Sequence, residues 1–359
     1  MKIIHIVGNR PQFIKLALLN KALQTKNTSN IILHTGQHFD KNMSDIFFDE
    51  LEIPLPDYTL DINSMLHNEM IGKMLTGIDE ILAKENPVCA VVYGDTNTTL
   101  AGAIAAKKRN IPIAHIEAGV RTMDESMPEE TNRYITDRIS ALNFCCTDNN
   151  VENLKKEGFF SGAINSIVHN CGDLMLDAVL CFKDIALTRA KLPGTINLEK
   201  PFVLTTIHRA ENTENIVSLQ NIIAALNNIN QHTPVVFPTH PKTKALIKKN
   251  AIPVSFTMLD ALGYLDSLAL TQKSTAVITD SGGLCRESFF FKKPTMVLMQ
   301  NPFWPEIFTY GNCVQARSET KEIIAKYQML SSTNKTFRTD VFGNGKAAED
   351  ISNVISSAF

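Results

Sequence analysis

VCAVVYGDTNTTLAGAIAAKKRNIPIAHIE, residues 88 to 117, holds two apolar runs on either side of a helical segment. VCAVVYG (88–94) and IPIAHIE (111–117) are short, β-branched and apolar, and TNTTLAGAIAAKKRN (96–110) between them has the length and character of a helix. Antiparallel strands can be joined by a tight turn, whereas parallel strands need a crossover connection, usually a helix. The stretch therefore predicts one parallel strand–helix–strand unit, with each strand buried on both faces.

The same alternation extends in both directions. IIHIVG (3–8) reads as a buried strand, Pro11 suits the first turn of a helix, and FIKLALLNKALQTK follows as its body. IILHTG (31–36) and ALNFCCT (141–147) complete an N-terminal sheet. The pattern restarts near Pro201, with strands expected at FVLTTIH (202–208), TPVVFPTH (233–240), STAVITD (274–280) and PTMVLMQ (294–300). Between the halves, residues 172–200 read as a helix and then a linker at KLPGT. The expected fold class is α/β, two doubly wound domains facing a cleft, with boundaries at 1–172 and 173–343.

Composition excludes several function classes. A net charge of -2 over 359 residues gives no bulk electrostatic footprint for nucleic acid. The apolar run before Gly8 is too short for a secretory signal, and no stretch approaches the roughly 20 apolar residues of a membrane span, so a cytoplasmic protein is expected. Seven cysteines form no CxxC pair, and Cys145 and Cys146 lie in an apolar segment, which favours reduced core thiols. His115, His208, His232 and His240 lack metal-ligand spacing, so no metal site is expected.

In an open parallel sheet, ligands bind beyond the carboxyl ends of the strands. The polar residues just past predicted strands are Arg10, Asp95, Glu117, His208 and the run Asp280-Ser281-Gly282-Gly283. DSGG opens a helix, so its free N–H groups suit an anion and its glycines allow close approach. Glu287, one turn further on, can lean back toward that N-terminus to accept ribose hydroxyls. Arg10 and Lys15 flank Pro11 and could clamp a diphosphate. Together these predict a nucleotide-diphosphate ligand. The acidic stretch HIEAGVRTMDESMPEETNR (115–133) is by composition either a solvated loop or a source of proton-transfer groups.

The motifs GNRPQFIK, TGQHFDKNMSDIFF, YGDTNTTLAGAIAA, HIEAGVRT with MPEETNR, TIHRAEN, PTHP and DSGGLCRES, taken in order, resemble the non-hydrolysing UDP-N-acetylglucosamine 2-epimerases from Gly8 to about Glu306. The forms RPQFIK, MPEE and HRAEN are most similar to the branch with UDP-2,3-diacetamido-glucuronate 2-epimerases. The resemblance implies two Rossmann-like domains in a GT-B-like arrangement, with the last helix (344–359) packing back on the first domain, and a homodimer.

It also implies the chemistry: elimination of UDP across carbons 1 and 2, a 2-acetamidoglucal intermediate, and re-addition after the proton returns to the other face, with no cofactor. Asp95, Glu117 and Glu129 match the family's catalytic carboxylates, and His208 its catalytic or phosphate-binding histidine. Arg10, Lys15, His208 and Arg209 would stabilise the departing diphosphate, and Ser281, Gly282, Gly283 and Glu287 would hold the nucleotide. Asp124 and Glu125 are then solvated loop, and Glu130 with Arg133 a structural pair.

Three departures stand out. Met299-Gln300-Asn301-Pro302-Phe303-Trp304-Pro305-Glu306 replaces a segment that usually carries Arg, and offers no cation near carbon 6 for a sugar carboxylate. Arg286 stands where an acidic residue, Lys or Gln is more usual. Phe39 stands where enzymes with a regulatory UDP-sugar site often have Arg, so such regulation is not assumed. The expected reaction is interconversion of UDP-N-acetylglucosamine and UDP-N-acetylmannosamine for surface-polysaccharide precursors. The diacetamido-glucuronate reaction and a GT-B glycosyltransferase are the alternatives, and a non-catalytic sugar-nucleotide sensor is a third class. Three carboxylates argue against a transferase, which needs at most one base.

Overall fold

In the computed structural model, which describes residues 1–37, 41–63, 65–194, 196–332 and 336–359, helices and strands alternate along the chain. Phe39 and its neighbour His38 lie outside the described residues. The first half runs β1 (Lys2–Val7), α1 (Arg10–Gln24), β2 (Ser29–His34), α2 (Lys41–Glu50), β3 (Tyr58–Thr59), α3 (His67–Glu85), β4 (Cys89–Tyr93), α4 (Asn97–Lys108), β5 (Ile113–Ala118), α5 (Pro128–Ile139), β6 (Leu142–Cys145), α6 (Asp148–Lys156), β7 (Ile167–Asn170) and α7 (Leu174–Arg189). The second runs β8 (Val203–Thr206), α8 (Ala210–Thr213), α9 (Ile216–Asn230), β9 (Val235–Pro238), α10 (Pro241–Lys249), β10 (Thr257–Leu259), α11 (Tyr264–Lys273), β11 (Ala276–Thr279), α12 (Gly282–Phe290), β12 (Thr295–Val297), α13 (Pro305–Thr309), β13 (Cys313–Gln315) and α14 (Thr320–Ser332). The last helix is α15 (Ala347–Ala358).

These elements form two units, Met1–Ala178 with Asp340–Phe359, and Val179–Thr339. The division falls inside α7, at Ala178/Val179. α15 packs against α1 in the first unit, its start fixed by Ala348 N–H donating to Asp177 at 2.8 Å.

The first unit's sheet has the order β3-β2-β1-β4-β5-β6-β7, and the second β10-β9-β8-β11-β12-β13. Every recorded pairing is parallel. Both are α/β sheets of the doubly wound kind. The four strands absent from the sequence expectation, β3, β7, β10 and β13, are all short edge strands without a long apolar run.

Helices cover both sheet faces, which is why β1 is buried along nearly its whole length. Ile4, Ile6, Leu33, Met74, Ile78, Ala90, Val92 and Ala101 share one core in the first unit, and Val203, Ile222, Leu226, Phe237, Ile278 and Met296 share one in the second. Each fully buried Ile or Leu contributes about 1.5–3 kcal/mol. The 88–117 stretch shows why its helix is so rich in small residues. Thr96 and Thr99 form a reciprocal cap at the start of α4. A Cβ on Gly102 would sit 3.1 Å from Ile6 and Val92, so α4 lies against the sheet at backbone distance.

Candidate active site

Each sheet reverses its strand order once, and the crevice at that point is where a ligand is expected. In the first unit the reversal lies between β1 and β4. Gln12 ties the two strand ends together: its amide N–H donates to the Tyr93 carbonyl at 2.7 Å, and its carbonyl oxygen accepts from the Gly8 N–H at 2.7 Å. Arg10 begins α1, with its guanidinium 4.6 Å from the Phe47 ring centre.

Asp95 follows β4 through Gly94, whose φ of +64° is open to glycine. The Asp95 carboxylate is ion-paired with Arg133, which also donates to Glu130 at 2.6 Å. Asn132 donates to the Asp95 carbonyl at 2.8 Å. Arg133 is 2% exposed at its side chain and Asp95 28%, so a buried cation fixes a carboxylate that still reaches solvent.

Glu117 lies at the end of β5, with φ +73° and a register shift against β6 between Ile116 and Ala118. Its carboxylate is ion-paired with Lys15. The sequence reading paired Lys15 with Arg10 at a diphosphate; the structure gives it a carboxylate partner as well. The Lys15 side chain is 3% exposed, and an ammonium so buried needs a counter-charge, which Glu117 supplies. Cys146 and Asp173 bring one ligand-type atom each within 4.8 Å of Glu117 and of each other, a grouping that the sequence did not suggest.

The acidic stretch divides by residue. Glu129 is half-buried in the first turn of α5. Glu130 is 1% exposed and accepts from the Thr122 and Met123 backbone N–H groups, the Thr122 hydroxyl and Arg133, which makes it a structural brace for the 122–127 loop. Asp124 closes a local turn by accepting from Ser126, and Glu125 is exposed.

In the second unit the reversal lies between β8 and β11. Asp280, fully buried, ties the loops there: it accepts from the backbone N–H groups of His208 and Arg209 at 3.0 and 2.9 Å and from Asn212 at 3.0 Å. Burial alone would raise its carboxyl, but His208, Asn212 and the Arg209 amide outweigh this and hold it below the ordinary carboxylate value. His208 Nδ1 lies 3.2 Å from Asp280, with its side chain 44% exposed. Arg209 donates from Nε to the Asp280 carbonyl at 2.7 Å. His240, which caps α10, lies near enough that His208 adds to burial in lowering its pKa.

Ser281 caps α12, accepting from the Leu284 N–H. The two glycines after it differ. A Cβ on Gly282 would meet the Phe303 ring at 2.9 Å, so this glycine makes room for an aromatic ring. Gly283 has only the Ser281 hydroxyl within 4 Å of such a Cβ, at 3.9 Å, and is the open position. Glu287, one turn on, is buried.

The Met299–Glu306 segment has no cation of its own, yet two flank it. The Arg209 guanidinium lies 4.7 Å from the Phe303 ring centre, and that of Arg286 lies 4.2 Å from the Trp304 ring centre. The substitution of aromatic residues is thus accompanied by stacked guanidinium groups, a pairing no spacing rule exposes. Among the described residues no helix is long and apolar enough to cross a membrane.

The sequence model described as UDP-N-acetylglucosamine 2-epimerase matches residues 21–356. The chain is 44% identical over 360 residues to a UDP-2,3-diacetamido-2,3-dideoxy-D-glucuronate 2-epimerase of Pseudomonas aeruginosa, with 99% of each chain covered. It is 36% identical over 367 residues to a UDP-N-acetylglucosamine 2-epimerase of Methanocaldococcus jannaschii, again with 99% of each covered. A crystal structure of the Methanocaldococcus jannaschii UDP-GlcNAc 2-epimerase in complex with UDP-GlcNAc and UDP is similar with a TM-score of 0.91 at 35% identity, covering 99% of this chain and 100% of that one.

Proposed function

Because the chain belongs to the UDP-N-acetylglucosamine 2-epimerase family, we propose that it interconverts UDP-N-acetylglucosamine and UDP-N-acetylmannosamine by elimination and re-addition of UDP. It is an isomerase, a UDP-sugar 2-epimerase. The observation that carries the mechanism is the pair of rim carboxylates in the first unit, each with its own cation: Asp95 with Arg133, and Glu117 with Lys15.

A carboxylate base removes the proton from carbon 2. The electron pair of that bond becomes the C1–C2 double bond, and UDP leaves carbon 1 with the electrons of the C1–O bond. Protonation of carbon 2 from the opposite face, with attack of UDP on carbon 1, gives the epimer. Two faces need two proton-transfer groups, and Asp95, Glu117 and Glu129 are the candidates. Arg10, His208 and Arg209 stabilise charge on the leaving diphosphate. Ser281, Gly283 and the N-terminus of α12 suit phosphate, and Glu287 the ribose hydroxyls. In this reading Gly282 admits Phe303 rather than the phosphate itself.

A second reading is favoured by a specific observation. The 44% identical relative is named for a diacetamido-glucuronate, and Arg209 and Arg286 stack on the segment that lacks its own cation. A sugar carboxylate would suit the part-exposed Arg209 guanidinium, while Arg286 is buried beneath Trp304, so the absence of a cation within Met299–Glu306 no longer favours the neutral sugar. We place the enzyme in the cytoplasm as a homodimer supplying surface-polysaccharide precursors, following the family.

Turnover in heavy water tests the chemistry: deuterium should appear at carbon 2 of the sugar, and full retention of the original hydrogen would overturn elimination. Side-by-side kinetics on the two UDP-sugars test the substrate. A kcat/KM about 100-fold higher on the uronate, roughly 2.7 kcal/mol of transition-state preference, would replace UDP-N-acetylglucosamine and leave the epimerase reading standing.

A further inference from the structure

Glu117 occupies a backbone conformation that non-glycine residues seldom adopt, and it does so at an irregularity in β5. Such a residue persists only where its surroundings over-determine it. Lys15 holds the carboxylate, but that contact does not fix the backbone. The surroundings that do are on α5. Asp137, fully buried, accepts from His115 Nδ1 at 2.6 Å, from the Gly119 N–H at 3.1 Å and from the Arg121 guanidinium at 2.7 Å. Those partners lie two residues before Glu117, two after it and four after it.

One carboxylate thus grips the chain on both sides of the bulge. Each of its partners is itself fixed. His115 Nε2 faces the Gly94 carbonyl at 2.7 Å, Arg121 is held by Glu157 at 2.7 and 2.8 Å, and the Gly119 carbonyl accepts from Asn153 at 3.0 Å. Gly119 also has positive φ, and a Cβ there would meet the Asn150 carbonyl oxygen at 2.4 Å, so the chain leaves the bulge by a single route.

We propose that Asp137 is a positioning residue for Glu117, its buried carboxylate clamping His115 and Gly119 so that the bulge aims the Glu117 side chain at the rim. The proposal rests on the epimerase reading for its catalytic consequence and on geometry alone for the clamp. Burial by itself would raise the Asp137 carboxyl, but His115 and Arg121 hold it below the ordinary value, which keeps the clamp an anion at neutral pH.

The clamp is tested with Asp137→Asn and with two replacements of His115 that divide its contacts. Asn at 115 can put its side-chain N–H near the Nδ1 position facing Asp137, whereas Gln reaches instead toward the Nε2 position and Gly94. Misplacing a catalytic group by about 1 Å costs on the order of 100-fold, so Asp137→Asn and His115→Gln should each lose about that much in kcat. KM should stay within a few fold, and calorimetric UDP affinity should be unchanged. His115→Asn should keep kcat within about tenfold. Should Asp137→Asn fail to fold, the His115 pair decides: Asn as damaging as Gln, or Gln harmless, overturns the clamp.

A readout independent of turnover is hydrogen exchange at the Gly119 amide. Its protection should fall by about tenfold or more in His115→Gln and persist in His115→Asn. If the wild-type chain shows no epimerisation but these exchange rates behave as stated, the functional reading fails and the clamp stands. Unchanged Gly119 protection in His115→Gln removes the clamp whatever the activity.

Discussion

Replacing Arg133 with Met removes the cation shared by Asp95 and Glu130, and the two carboxylates it leaves behind are not equivalent. Glu130 is 1% exposed at its side chain, so it cannot regain water without opening the 122–127 loop that it braces. Asp95 is 28% exposed and can be rehydrated. Breaking a buried pair by removing one partner costs about 3–5 kcal/mol. Glu130 keeps two backbone N–H donors and the Thr122 hydroxyl, which places the loss at the lower end, about 3 kcal/mol. Arg133→Lys keeps the charge but cannot serve both carboxylates with a planar fork, so an intermediate loss is expected.

Urea unfolding of the full chain, followed by a probe in the first unit, measures the stability term. Under the epimerase reading the same variant should lose kcat by about 100-fold, because Asp95 no longer has a fixed orientation. A loss below about 1 kcal/mol, the range of exposed pairs, would show that Arg133 is not the buried counter-charge described here. Full activity with lost stability would leave Arg133 structural and separate it from Asp95's role.

Three further outcomes are expected. Lys15→Met should lower kcat by about 100-fold while UDP affinity holds, since Lys15 serves Glu117; reduced UDP affinity with normal turnover would return Lys15 to the diphosphate. Gly283→Ala should leave stability near that of the wild-type chain, because its Cβ would meet only the Ser281 hydroxyl, at 3.9 Å, an ordinary contact, yet weaken UDP by about tenfold, or 1.4 kcal/mol; unchanged calorimetric affinity would move the phosphate elsewhere. His5, whose pKa burial lowers to about 3, should make stability fall as pH drops below 6.5. There the unfolded chain binds a proton that the fold refuses, at about 1.4 kcal/mol per pH unit down to about pH 3. Comparison of urea midpoints with His5→Asn measures this slope, and equal slopes would refute it.

The central strands were legible because a strand covered on both faces must be apolar along its length. IIHIVG, VCAVVYG and STAVITD announce themselves, and each appears in the fold within a residue or two of its reading. β3, β7, β10 and β13 carried no such signal, since at a sheet edge fewer side chains need burial and other residues are tolerated. The strand-end positions of Asp95, Glu117, His208 and Ser281 were legible for a related reason: in a parallel sheet the residues at or just past a strand's carboxyl end stand at the ligand-binding end, so chain position alone marks them.

The residues that hold those groups in place were not legible, and the reason is geometric. Arg133 and Asp137 lie on the inner face of α5, 38 and 20 residues after the groups they serve, and nothing in their local pattern separates them from an ordinary salt-bridged helix face. Asn212, Arg286 and Trp304 are similar cases, since their partners come from loops that only the folded sheet brings together. The 115–133 stretch unites both kinds of residue, and composition could not divide it. It reads as one acidic run, yet Glu117 is aimed at the rim, Glu130 is a buried brace and Glu125 is solvated. What divides them is exposure: Glu117 keeps 12% of its side chain exposed beside a buried lysine, Glu130 only 1% beside a buried arginine, and Glu125 lies on the surface. A carboxylate that reaches the rim while its counter-charge stays buried is oriented without being hidden, which is the condition that proton transfer would impose on Asp95 and Glu117 under the epimerase reading.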